Sequence, residues 1–279
     1  MTIAGRGPEA EGRIGIPGGG EIAYQIHGLA HGGVPVLLLR PLGGSMAIWG
    51  SFRALLAGEQ RVISFDPRGC GRSSSAAPWV STPGLARDGL RVLDHLGVSR
   101  AHVFGLSLGG MTATWLALLA PERVARLCLA STPARGVALS HAGLRRDLRL
   151  AGCLARPLDR VEACLVRRIL SREFREAHPD EARRFEQLAN EERSSRLSLA
   201  KLALAGVLHD ARGELRGIVA PTLVLAGEHD RLLGTEAPRD LAAGIRGAAF
   251  EIVASSGHDL TLEQPAVTAA RVARFFALG

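Results

Sequence analysis

The chain has 279 residues, 47% of them hydrophobic and 22% charged, which is enough apolar sequence to bury a large core as one domain plus an insertion. Residues 1–20 carry charges and seven glycines but no apolar run of signal-peptide length, and no later stretch approaches the roughly 20 apolar residues of a bilayer span, so a cytoplasmic protein with no membrane partner is expected. A formal charge of +7 does not point to nucleic acid, because Lys201 is the only lysine and the arginines are spread among acids with no basic tail or aromatic-basic module.

In chain order, two weak segments come first. Residues 13–16 and 21–26 alternate apolar and polar positions across Pro17-Gly18-Gly19-Gly20, which predicts an amino-terminal antiparallel hairpin at a sheet edge. Six short runs of β-branched and aliphatic residues follow, at 36–39, 61–65, 101–104, 124–130, 222–226 and 249–253. Near-continuous apolar runs mean strands covered on both faces. Helices are placed between them by their start and stop signals: 48–57 before Gly58, 82–96 before Gly97, 109–119 before Pro121, and 265–278 at the end. The alternation predicts an α/β fold: a mainly parallel eight-stranded sheet with helices on both faces.

Between Pro133 and about Glu214 this rhythm stops. The segment becomes helical and arginine-rich, with Pro157 and Pro179 as breaks, which predicts a core of 1–132 and 215–279 interrupted by a helical lid at 133–214. Over 134–216, sixteen Arg plus Lys201 stand against twelve acids. The excess reads either as a solvated amphipathic face or as attraction for an acidic substrate or acidic partner protein. The leucines and alanines of the lid suit an apolar acyl group in a covered pocket. The four cysteines, Cys70, Cys128, Cys153 and Cys164, form no C-x-x-C pair and sit among apolar or small residues, so buried reduced thiols are expected rather than a disulfide frame or a zinc site.

The chemistry concentrates at Gly105-Leu106-Ser107-Leu108-Gly109. This G-x-S-x-G string falls right after one strand and right before a helix, the context that a nucleophile elbow requires. A serine held in a strained strand-to-helix turn needs tiny residues two before and two after it, so that strand and helix can approach. Gly105 and Gly109 meet that demand. The helix start also favours an oxyanion nearby through its free N–H groups and positive dipole end.

The chain here resembles the α/β-hydrolase superfamily, and more narrowly the lactonases and esterases similar to 3-oxoadipate enol-lactonase. The resemblance rests on Val36-Leu37-Leu38-Leu39 before a glycine loop, Phe65-Asp66-Pro67-Arg68-Gly69-Cys70-Gly71-Arg72-Ser73, the elbow, Ala120-Pro121-Glu122-Arg123-Val124, Ala220-Pro221-Thr222-Leu223-Val224, and Gly257-His258 followed by Glu263-Gln264-Pro265. It implies a triad in the chain order Ser107, Asp230, His258. Asp230 lies just beyond the strand at 222–226, where the family supplies its acid; the other family location holds Ser131-Thr132-Pro133 and offers no carboxylate. His229 adjoins Asp230 and could scarcely reach both it and Ser107, and His102 lies within a strand, which leaves His258 in the loop after 249–253.

The resemblance also implies an oxyanion hole of two backbone N–H groups. One is that of Leu108, after the nucleophile. The other comes from the loop Arg40-Pro41-Leu42-Gly43-Gly44; Pro41 has no N–H, so Leu42 is assigned. Arg40 stands where many relatives have histidine. It either recognises a substrate carboxylate through its fork of donors or pairs structurally with Asp66 or another acid.

The expected function is hydrolysis of a carboxylic ester, lactone or thioester through an acyl-serine, with no cofactor or metal and a small, apolar acyl substrate as partner. Alternatives remain open: the same triad used for C–C bond hydrolysis, acyl transfer or a cyclisation or isomerisation, or a non-catalytic binding protein on the same fold. A homodimer is left open as well.

Overall fold

The computed structural model describes residues 7–43, 45–136, 152, 153, 164, 166–191 and 195–278. Eight strands form one sheet in the order β1-β2-β4-β3-β5-β6-β7-β8. They are β1 (Ala10–Gly15), β2 (Glu21–His27), β3 (Val36–Leu39), β4 (Val62–Phe65), β5 (Ala101–Leu106), β6 (Val124–Ala130), β7 (Thr222–Gly227) and β8 (Ala249–Val253). β1 and β2 pair antiparallel across the glycine turn, β2 joins β4 antiparallel, and every further pairing is parallel. The expected edge hairpin and the mainly parallel sheet are both present.

Among the described residues, helices in chain order include α1 (Gly50–Ala57), α2 (Thr82–His95), α3 (Leu108–Leu119), α4 (Arg172–Ala177), α5 (Pro179–Glu191), α6 (Arg196–Val207), α7 (Glu236–Gly244), α8 (Leu260–Glu263) and α9 (Pro265–Phe276). Alternate strand residues face opposite layers, as the pleat dictates. Leu37, Leu39, Ile63, Val103, Leu127 and Val224 bury against Val92, Leu116 and Leu241 of α2, α3 and α7. Val36, Leu38, Val62, Phe104, Cys128 and Leu225 bury against Phe52, Leu56, Val272 and Phe276 of α1 and α9. Helices therefore cover both faces, which is why the central strands read as unbroken apolar runs.

Two helices were not foreseen from periodicity. α7 lies between β7 and β8 and holds only three buried residues, Pro238, Leu241 and Ala242, too sparse an apolar stripe to stand out. α8 is a single turn, capped by the Asp259 carboxylate. Pro179 does act as a break: α4 ends at Ala177 and α5 begins at Pro179. Pro157 lies outside the described residues.

The cysteine expectation needs a correction. Cys153 and Cys164 are bonded to each other, with Cα atoms 5.6 Å apart, inside the usual range for a disulfide. Tertiary approach within the segment between β6 and β7 creates the pair, and no sequence spacing announces it. Cys70 and Cys128 are buried outside any disulfide, and burial pushes the Cys128 thiol far up.

Candidate active site

Parallel strands all deliver their carboxyl ends to one edge of the sheet, and the loops leaving that edge are where an α/β fold gathers reactive groups. Ser107 follows β5 directly, Asp230 follows β7 by three residues, and His258 follows β8 by five.

Ser107 has φ 55° and ψ −117°, a conformation costing a non-glycine residue about 1–3 kcal/mol, so its surroundings must impose it. Its N–H donates to the Ala130 carbonyl at 2.9 Å, while its own carbonyl accepts from Gly110 N at 2.9 Å, Met111 N at 3.1 Å and Thr132 Oγ1 at 2.8 Å. The glycine requirement is geometric. A Cβ on Gly105 would run into the Gly109 carbonyl, and one on Gly109 into the Leu39 carbonyl.

The three side chains meet. His258 Nε2 lies 2.9 Å from Ser107 Oγ, and His258 Nδ1 lies 2.8 Å from Asp230 Oδ2. Asp230 is 6% exposed, and its other oxygen accepts from the backbone N–H groups of Leu232 and Leu233 at 2.8 and 2.9 Å. A carboxylate so engaged only accepts, so Nδ1 carries the ring proton and Nε2 is left to accept from the serine hydroxyl. Burial disfavours charge on the His258 ring, but the charge and hydrogen bond of Asp230, helped by Asp259 and Glu263, outweigh it and hold the ring above the usual histidine range.

The acid and base loops are laced together by their own backbones. Glu228 N donates to the Val253 carbonyl at 3.0 Å and His229 N to the Ser256 carbonyl at 2.7 Å. Gly227 permits this, since a Cβ there would strike the Gly257 carbonyl. His229 itself points elsewhere, 40% exposed beside Glu228. His102 stacks on Phe276 with ring centroids 4.7 Å apart, and burial lowers its pKa to about 4.

Leu108 is the first residue of α3, a position whose N–H has no acceptor within its own helix. Leu42, in the loop after β3, packs its side chain into the same apolar cluster as Leu108, Leu85, Met111 and Leu202. The structure thus brings the two expected oxyanion residues to one patch. Arg40 is fully buried with its guanidinium 3.9 Å from Asp66, the structural pairing of the two readings. Asp66 also accepts from Met46 N at 2.7 Å and Arg72 N at 2.8 Å; burial raises its pKa, and Arg40 and those two donors oppose the rise. Arg40 borders a small recess with Leu39, Pro67 and Leu108.

Sequence reasoning missed the support beneath the histidine. Glu263 is buried and accepts from Ser171 N, Ser171 Oγ and Gly257 N, and the His258 N–H donates to the Ile169 carbonyl at 2.9 Å. Glu263 stands in a run that the resemblance included, but its partner Ser171 is 92 residues away, and no local pattern links them.

A strained serine after β5, an acid after β7 and a histidine after β8, all at one edge of a sheet of this order, define a hydrolase-type fold and site. Residues 34–265 match the family model for the alpha/beta hydrolase fold, and the chain belongs to that family. Among curated relatives it is 31% identical over 258 residues, 88% of this chain and 91% of the relative, to RutD of Variovorax paradoxus, provisionally named a carbamate hydrolase. Among solved structures it is similar to a hydrolase from Pseudomonas aeruginosa PA01, at TM-score 0.84 and 30% identity, covering 96% of this chain and 99% of that one. An enol-lactonase from Burkholderia xenovorans LB400 superposes at TM-score 0.83 with 26% identity, covering 95% and 99% of the two chains.

Proposed function

We propose that this α/β-hydrolase cleaves a carboxylic ester, lactone or thioester through an acyl-serine intermediate. The observation that carries the reading is the unbroken hydrogen-bonded line from Ser107 Oγ through His258 to Asp230. A serine hydroxyl is a poor nucleophile until a base takes its proton. As Ser107 Oγ attacks the substrate carbonyl, His258 Nε2 takes that proton, and Asp230 stabilises the imidazolium that forms. The carbonyl oxygen becomes an oxyanion facing the N–H groups of Leu108 and Leu42, each such donor being worth about 10²–10³ in rate. Collapse breaks the bond to the leaving group, which departs with the proton from His258. Water then repeats the sequence on the acyl-serine, releasing the acid and restoring the hydroxyl.

The segment between β6 and β7 acts as a lid in this account. Its Leu202 closes over Leu108 and Met111, and its Lys201 ammonium donates to the Ala77 carbonyl at 2.7 Å, so the acyl group meets apolar walls. Arg40, fully buried beside Asp66, anchors the loop that carries Leu42. Support for the ester class comes from the enol-lactonase likeness, while the name of the Variovorax relative adds a carbamate, whose carbonyl would meet the same nucleophile.

The test is a panel of short and long nitrophenyl esters, a lactone, a thioester and a carbamate, assayed with the wild type and Ser107→Ala. The account expects turnover of at least one member and a loss of roughly 10⁴–10⁶ in kcat on removing the hydroxyl. Undiminished turnover by Ser107→Ala would end the covalent mechanism.

A further inference from the structure

Glu263 is a buried carboxylate for which the hydrolytic chemistry has no use. Burying such a group is costly unless its oxygens are filled by donors. Here Oε1 accepts from Ser171 N at 3.0 Å, and Oε2 accepts from Ser171 Oγ at 2.5 Å and from Gly257 N at 2.9 Å. All three partners can donate, two of them only that, and the shortest bond falls in the range of a hydroxyl donating to a charged oxygen. Two of the donors belong to the segment between β6 and β7, where Ser171 also caps α4 by accepting from Phe174 N at 3.1 Å. The third is the residue immediately before His258.

The same segment holds the next residue of the histidine loop too, because the His258 N–H donates to the Ile169 carbonyl at 2.9 Å. Two successive backbone N–H groups, those of Gly257 and His258, are therefore committed to one strap, residues 169–171, either directly or through Glu263. Gly257 is the residue that allows the approach: a Cβ there would meet the Glu263 carboxylate, the Ser171 nitrogen and the Ile169 carbonyl together. Around the strap, Val166, Leu170, Phe174 and Phe185 bury against Ile48, with Leu262 of α8 packed alongside.

We propose that Glu263 is a positioning residue for His258: by tying Gly257 to Ser171 it makes docking of the inserted segment and alignment of the base a single event. The inference rests on the serine-hydrolase reading above. A group misplaced by about 1 Å can cost roughly 10²-fold in rate, so a clamp on the backbone beside the base acts on kcat rather than on substrate affinity. The carboxylates acting on His258 are Asp230, Asp259 and Glu263, and the strap residues Ile169 and Ser171 bring no charge. Removing the Glu263 charge therefore also lowers the pH at which the ring becomes protonated.

The experiment compares the wild-type chain with Glu263→Gln, Ser171→Ala and Ser171→Thr. A glutamine keeps the shape but turns an N–H₂ group toward one set of donors, and threonine restores the hydroxyl that alanine removes. The readouts are the fluorophosphonate labelling rate of Ser107, kcat and KM for p-nitrophenyl acetate, and the acid limb of kcat/KM. For Glu263→Gln the expected result is a fall of about 10–100-fold in labelling rate and kcat, KM within about three-fold, and an acid limb moved to lower pH. Ser171→Ala moves labelling rate and kcat the same way by less, Ser171→Thr recovers most of the loss, and this pair decides the matter should Glu263→Gln not fold. Labelling and kcat within about two-fold of wild type in every folded variant, with an unmoved acid limb in Glu263→Gln, would overturn the positioning role while leaving the triad standing. A wild type that takes up no label overturns both.

Discussion

Ser107 and His258 depend on opposite kinds of constraint. The serine is held by sterics: glycines at 105 and 109 let Leu39, Gly109 and the nucleophile crowd together, and four backbone or side-chain hydrogen bonds fix a φ of 55°. The histidine is held by charge, with Asp230 outweighing the effect of burial and raising its pKa. The sign has a direct consequence for activity. The ring must be neutral to accept the serine proton, so kcat/KM falls as pH drops through a pKa lying above the ordinary histidine value of about 6.5. A pH–rate profile on any turned-over ester checks this, and an acid limb centred at or below about 6.5 would contradict the raised pKa. At this scale the meeting of Ser107, Asp230 and His258 was legible in the sequence, the serine from the elbow string and the acid and base from the chain order that the resemblance implied. Their supports were not. The bonding of Glu263 to Ser171 and the close approach of Gly227 to the Gly257 carbonyl involve residues far apart in sequence, and only folding brings them together.

The elements divide along the same line. Strands β3, β6 and β8 fall at the residues expected for them: β3 is a fully buried, unbroken apolar run, while β6 and β8 keep enough aliphatic residues around Arg126 and Glu251 to be read as strands. Helix α7 escaped notice for the converse reason: it is short and presents few apolar residues to the sheet. Between β6 and β7 the described helices α4, α5 and α6 fall where helix was expected, but the bonding within the segment was not legible. The Cys153–Cys164 pair closes a loop of separation 11, and such closure contributes about 2–4 kcal/mol to the stability of what it encloses. Thiol titration of the protein unfolded without reductant should find only the two cysteines outside the disulfide, Cys70 and Cys128. Four reactive thiols per chain would refute the pairing.

On the scale of the whole molecule, the sheet is a frame that carries Ser107, Asp230 and His258 on loops at one edge, and two of the contacts that tie the segment between β6 and β7 to that frame bear on the site. At one, the strap 169–171 grips the histidine loop. At the other, Lys201 reaches the Ala77 carbonyl and Leu202 joins the cluster that holds Leu42 and Leu108. Part of the arginine content is held in internal ion pairs that leave the net charge of +7 unchanged: Arg68 and Arg91 both bind the buried Asp88, and Arg40 faces Asp66. Among the described residues no helix is long and apolar enough to cross a membrane. The account as a whole depends on one hydroxyl being made nucleophilic by one ring, and mapping the site of a fluorophosphonate adduct by intact-protein and peptide mass spectrometry tests that dependence most directly. A single adduct on Ser107, absent from Ser107→Ala and formed far more slowly by His258→Ala, is the predicted result; an adduct elsewhere, or one formed on Ser107 as fast without the imidazole as with it, would contradict the account.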